Sequence, residues 1–227
     1  MGIENTNEIK KDFEAMFGIA YDDFKLLEIP NFLTRKRKDG SLCLNTCRYF
    51  LYNDPLLGIF DTRVDFKDQA LYAEHALKLK EAGKRAGEWG YLFDYLSSLC
   101  SAISSKLTLG VEMREAYQKG NKAALKALIP DIGKAVQEVD SFAKQYRARW
   151  LKDNKPQGLE IGQIRLAGVK ARLEEAKLRL EQYLEDGSPI PELEEKILPI
   201  WSEEEDEKEP AICFNTYLYM ASNSRMV

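Results

Sequence analysis

The sequence predicts a mainly α protein, an antiparallel helical bundle preceded by a loop-rich segment. Three observations carry this reading. Apolar residues recur at steps of three and four along residues 89–107, 136–150 and 166–183. Glycine, asparagine and proline punctuate the chain between these runs. The joins they mark are short, which makes antiparallel packing of successive helices the natural solution.

Residues 5–28 read as short helical pieces. Ile9, Phe13 and Met16 or Phe17 fall on one face, Gly18 ends the first piece, and Pro30 stops the second, for which Asp22 or Asp23 is a candidate cap. Residues 30–66 show no sustained helical period and are expected to be loop and short extended segments. Within them stands "RYFLYNDPLLGIFD" (48–61), an apolar and aromatic block interrupted by Asn53-Asp54-Pro55 and Gly58. From Asp68, "DQALYAEHALKLKEAGKRAG" is an alanine-rich amphipathic helix stopped by Gly83 and Gly87.

The next helix, from 89 to about 119, is the most apolar. Trp89, Leu92, Leu96, Leu99 and Ile103 form one stripe, and Phe93, Cys100 and Leu107 add a second, so it is expected at the centre. Its serines (97, 98, 101, 104, 105) are small enough to let neighbouring helices approach closely. Gly120 and Asn121 are a stop followed by a cap. The following helix is expected to break at Pro130 and resume with Val136, Val139, Ala143, Tyr146 and Trp150, until "KDNKPQG" closes it. The last long helix runs from about 160 to 185 with Leu166, Val169, Leu173, Ala176, Leu180 and Tyr183 as its seam. Charges are expected to cover its opposite face, so that it packs on one side only. Trp89, Leu96, Ile103, Val139, Tyr146, Trp150, Leu173 and Leu180 are the expected core. The chain thus divides into residues 1–66, a bundle at 67–200, and an acidic linker ("SEEEDEKEP") with an apolar tail at 201–227.

Composition bounds the function. The 227 residues are 44% hydrophobic and 31% charged with a net charge of -4, so a real core is possible and no concentrated basic face for nucleic acid stands out. The dense basic run "TRKRKDG" (34–40) lies among turn residues and reads as a solvated loop rather than a phosphate contact. The charge-free stretch of the most apolar helix, between Asp94 and Lys106, falls well short of the ~20 apolar residues that a membrane span needs. "MGIENTNEIKKDF" has acids and amides where a leader needs an apolar run, and its Met-Gly start reads as a helical lead-in rather than a myristoylation signal. Cys43, Cys47, Cys100 and Cys213 lack paired metal spacing and read as reduced, mostly buried thiols of a cytoplasmic protein. No cofactor or metal is expected. Glycine-rich phosphate loops, H-E-x-x-H and G-x-S-x-G are absent from the sequence, and the one histidine, His75, has no motif pairing it with a serine. The acidic pairs Asp22-Asp23, Glu174-Glu175, Glu194-Glu195 and Asp206-Glu207 fall on expected helix surfaces or in the linker. Such solvated carboxylates lack the pocket that drives two pKa values apart. The residues alone therefore describe a non-catalytic helical domain with an unusual front end.

Several stretches resemble the C-terminal region of bacterial family 20 glycoside hydrolases, the exo-acting β-N-acetylglucosaminidases of the streptococcal type. They are "FGIAYDDFKLLEIPNFL" (17–33), "LYNDPLLGIFD" (51–61), "YLFDYLSSLCSAISSKLTLG" (91–110), "WLKDNKPQGLEIGQIRLAGVKARLEEAKLRLEQYL" (150–184) and, more faintly, "FNTYLYMAS" near the end. Ala167 stands where a second glycine beside Gly168 is expected. The resemblance implies that residues 1–66 follow a (β/α)8 catalytic barrel whose Asp-Glu pair performs substrate-assisted hydrolysis. That pair has no counterpart here, so no catalytic residue is carried over. The implied partners are the parent's barrel and a second copy in a homo-oligomer, a dimer being the expected form, with neither nucleic acid nor membrane. On this view Tyr52, Asn53, Asp54, Pro55, Leu56, Leu57 and Phe60 are a candidate seam against the barrel, exposing apolar surface in the isolated chain. The alternative is that the block folds onto its own bundle. The rival function is a stand-alone helical binding or scaffold protein.

Overall fold

A computed structural model describes residues 6–31, 46–195 and 197. Nine α-helices form there: α1 (Thr6–Phe17), α2 (Tyr21–Lys25), α3 (Thr46–Tyr52), α4 (Phe66–Gly83), α5 (Gly90–Lys106), α6 (Leu109–Gln118), α7 (Lys122–Asp153), α8 (Leu159–Asp186) and α9 (Pro191–Glu194). Among the described residues there is no strand, so the fold is mainly α. The basic run at 34–40, Cys43, Cys213, and the linker and tail at 201–227 lie outside the described residues.

The long helices alternate in direction. Ser97 Oγ donates to Ala76 O at 2.8 Å and Ser104 Oγ to Gln69 O at 3.0 Å, which sets α5 antiparallel to α4. The small serines of α5 thus do more than leave space: two of them bond its neighbour's backbone. Tyr95 stacks near Phe142 and Tyr146, and Tyr91 donates to Asp153 at 2.7 Å, so α7 runs back along α5. Lys170 reaches Asp140, and Gly162 lies against Tyr146, so α8 runs back along α7. The result is a row, α4–α5–α7–α8, with α6 packed on α7 and α9 on α6. Ile103, Val139, Leu173 and Leu180 are buried as expected. Trp89, Leu96, Tyr146 and Trp150 are only half-buried. The two tryptophans sit at edges where each indole N–H finds a carbonyl: Trp89 donates to Phe17 O and Trp150 to Lys155 O, both at 2.9 Å.

Capping follows the sequence where a side chain can reach. Asp65 accepts from Lys67 N at 3.0 Å, starting α4 two residues before Asp68, and Asn121 accepts from Ala124 N at 3.1 Å. Gly120, at φ 62°, supplies the left-handed turn before Asn121. Neither Asp22 nor Asp23 caps α2, whose N-cap is Ala20 with no side-chain bond. The two acids instead pair with Lys10 at 2.8 Å and Arg85 at 2.7 Å.

Four local expectations are corrected. The extended segments expected within 30–66 give way, among the described residues, to α3 and a 3-10 turn at Asp61–Arg63. Burial of Phe50 and Leu51 overrides the strand preference of an aromatic run. The helix expected from 89 to about 119 is two, α5 and α6, broken at Leu107-Thr108. The expected break at Pro130 does not occur: α7 runs unbroken for 32 residues. Leu125 and Ile132 are fully buried on either side of the proline, and Lys126, whose carbonyl the proline leaves without its helical donor, is an exposed residue. Finally, the outer face of α8 is not uniformly charged, since Ile161, Ile164 and Leu178 lie exposed on it.

Candidate functional site: an anchored block between α3 and α4

Residues 53–61 form a compact knot built by their own polar side chains. Asp54 Oδ1 accepts from Leu56 N at 2.9 Å and Leu57 N at 3.0 Å, the turn expected of Asp before Pro. Gly58 N then bonds Asp54 O at 2.9 Å, with Gly58 at φ 62° in the left-handed region that a side chain disfavours. Asn53 ties the ends together: its Nδ2 donates to Asp61 Oδ1 at 2.7 Å, and its Oδ1 accepts from Phe60 N at 3.0 Å.

Three cations from the bundle hold the knot in place. Lys106, the last residue of α5, donates to Phe50 O at 2.8 Å and Asn53 O at 2.9 Å. Arg114 of α6 donates to Leu56 O at 2.7 Å and to Glu192 O and Glu195 O at 2.6 and 2.9 Å, so one guanidinium fastens both the block and α9. Arg172 of α8 donates through Nε to Asp54 Oδ2 at 2.5 Å. The break between α5 and α6 serves this packing. It lays Gly110 against the block, where an added Cβ would stand 3.0 and 3.1 Å from the Asp61 carboxylate oxygens and 3.1 Å from Pro55 O.

Burial dominates the electrostatics. Loss of water pushes the Asp61 carboxyl above its ordinary range, against the opposing effects of the Asn53 hydrogen bond and the Arg114 and Lys106 charges. Its Oδ2 is buried with no hydrogen-bond partner. Burial lowers the Lys106 ammonium to about 8, with Asp54 and Asp61 partly restoring it. Arg114 is lowered too, again chiefly by burial, while the hydrogen bond to Asp54 raises Arg172. The half-buried Cys47 and buried Cys100 are free thiols, pushed by burial to about 11 and about 12.

The expected exposure of the seam residues is corrected here. Asn53, Asp54, Pro55, Leu56 and Phe60 are buried within the chain's own fold, and Tyr52 is half-buried. Leu57, at 37%, is the seam residue left exposed. Phe50, Leu51 and Leu56 of the block join the chain's own core, while Asn53 and Asp54 bond its own backbone. Exposed apolar surface lies elsewhere, on the N-terminal helices, where Ile9, Met16, Phe17 and Phe24 are uncovered around the half-buried Phe13. Phe13 packs its ring on Phe17, Tyr21 and Phe24 within 5.3 Å.

Sequence reasoning missed Lys106, Arg114 and Arg172. Lys106 leaves one usable signal: it is the cation that ends the charge-free run after Asp94 in a doubly striped helix, where a solvated position is least expected. Arg114 and Arg172 sit in charged runs and leave none. Among the described residues no three His, Cys, Asp or Glu gather as a metal site, and no helix is long and apolar enough to cross a membrane. His75 is buried, its imidazole lowered chiefly by desolvation, beside the edge of Tyr72. A family model described as Glycoside Hydrolase 20C C-terminal domain matches residues 22–212. No curated protein matches the chain.

Proposed function

Because the chain belongs to the Glycoside Hydrolase 20C C-terminal domain family, we propose that it is the non-catalytic helical domain of a β-N-acetylhexosaminidase, bracing the catalytic domain and supplying subunit contacts. The parent, on this reading, releases terminal β-linked N-acetylglucosamine or N-acetylgalactosamine. One observation carries the non-catalytic part. Asp61, the carboxyl whose burial raises its pKa as a general acid requires, is closed in by Gly58, which has no room even for a Cβ, and by Gly110, where a Cβ would already be tight. A proton donor must face a cleft the size of a sugar, with a second group placed across the scissile bond. Asp54, the other buried carboxylate of the block, is bonded to Arg172 and two backbone amides. The bracing part is supported by the uncovered apolar face of α1 and α2, since exposed apolar surface of this kind marks contact sites.

The test is an aryl β-N-acetylglucosaminide assay. The chain alone is expected to give no turnover above background, while the catalytic domain, fused or co-expressed, gives activity that disappears when that domain's acid-base Glu is mutated. Turnover by the lone chain that survives removal of host enzymes and vanishes in Asp61→Asn would overturn the reading. For bracing, Met16→Glu with Phe17→Glu is expected to reduce co-purification with the catalytic domain. Undiminished co-purification would move the contact elsewhere.

A further inference from the structure

The end helix of a row has one side packed and one side free. α8 turns Leu159, Gly162, Leu166, Val169, Leu173, Ala176 and Leu180 inward. On its opposite side Ile161, Ile164 and Leu178 are 43%, 50% and 49% exposed. With Gly168 and Ala171 between them, these residues follow spacings of 3, 4, 3 and 7, which are the a and d positions of a heptad that begins at Ile161. The flanks of this second stripe are segregated by charge. Positions e are Arg165, Arg172 and Arg179, and positions g are Glu160, Ala167, Glu174 and Glu181.

We propose that this outer stripe of α8 is an interface for a second copy of the chain, paired parallel and in register. The charges select both the partner and the direction. In a parallel pair, each g residue faces the e residue five positions further along the other helix. Glu160 then meets Arg165 of the other copy, and Glu174 meets its Arg179. An antiparallel pair sets g against g and e against e, so glutamates confront glutamates and arginines confront arginines. The arginines stand where such pairing needs them. All three are half-buried rather than free in solvent, and Arg172 and Arg179 are steadied by Asp54 and Glu192. Gly168 and Ala171 leave no bulk at the middle of the stripe, so two helix axes can approach closely there. Glu175 occupies an a position, where it meets its own copy. Its carboxylate lies 3.7 Å from Arg179, which offsets part of that repulsion. The proposal sharpens the subunit-contact part of the reading above and owes nothing to the catalytic-domain part, so a monomer would leave bracing intact.

The test is sedimentation of the 227-residue chain across a wide concentration range. The mass is expected to rise from 26.0 kDa toward twice that value. Ile164→Glu and Leu178→Glu, both at exposed positions, are each expected to weaken association about tenfold or more with unchanged circular dichroism. Glu175→Leu is expected to strengthen it by removing the like charges from the seam. Gln182→Cys, at the next a position, is expected to form an intermolecular disulfide beyond any given by the native thiols, because only parallel, in-register helices bring that residue to its own copy. A chain that stays monomeric, or a dimer indifferent to both Glu substitutions, overturns the proposal. A dimer that is lost in Ile164→Glu but does not cross-link through Gln182→Cys overturns its direction.

Discussion

Lys106 holds two carbonyls of the front-end block from a buried position, and its titration gives a measurable signature. The native ammonium has a pKa of about 8, against about 10.4 in an unfolded chain. Between these values the unfolded state binds more protons than the native one, so this residue's contribution makes stability rise with pH through that window. Cys47 and Cys100, at about 11 and about 12 when folded, act in the opposite sense. The native state keeps their protons above the ordinary thiol range, so their contribution is present below about pH 8.5 and is lost as pH rises toward those values. The two effects separate by mutation. Lys106→Met is expected to lose about 1–3 kcal/mol at neutral pH, from two carbonyls left without a donor. Its stability should also fall more steeply than that of the natural chain from pH 8 to about 10.4. Urea unfolding at three pH values reads both, and parallel curves would refute the assignment. At this scale the sequence is legible only in part. Asn53-Asp54-Pro55 and Gly58 announce the turn, but the cations that hold it in place come from residues 53 to 118 positions away, which local pattern cannot reach.

Helix α8 illustrates how an element is fixed by a missing side chain. An added Cβ at Gly162 would clash with the hydroxyl end of the Tyr146 ring. Gly162→Ala is therefore expected to cost about 1–3 kcal/mol through overpacking. Much less should be lost when the change is made in a Tyr146→Leu background, a coupling that a double-mutant cycle measures. Helix α7 supplies the contrast. An added Cβ at Gly133 meets nothing within 4 Å, so Gly133→Ala is expected to stabilise the protein by about 0.5–1 kcal/mol, read as a raised melting temperature. The inward stripes of α7 and α8 were readable from spacing because an amphipathic helix writes its buried face into its period. The break between α5 and α6, and the lack of one at Pro130, were not readable. A proline's cost is local, whereas the burial of Leu125 and Ile132 that outweighs it is tertiary. In the same way, Thr108 and Gly110 break a helix for the sake of a segment fifty residues earlier.

At the scale of the molecule, the expected division at residue 66 meets a shared interior. Ile19, Phe50, Leu51 and Leu56 belong to one buried cluster with residues of α4 to α9. Unfolding is accordingly expected as a single transition, with far-ultraviolet and near-ultraviolet signals coincident, whereas separate midpoints would support a boundary near residue 66. The architecture was legible because long periodic helices with short joins admit few arrangements. The closure of the row was not, because it depends on the block that lies across α5, α6 and α8. That closure has a consequence in time. Asp54 and Arg172 are 118 positions apart, so on a ribosome the block waits, with its partners still unmade, until α8 has emerged. Such non-local pairing is slow to form and leaves apolar residues open in the interval. Docking of Leu56 and Phe60 is thus a late event, so truncating either should speed unfolding while leaving the folding rate nearly unchanged. A chain that stalls before α8 would present those side chains to whatever else is near.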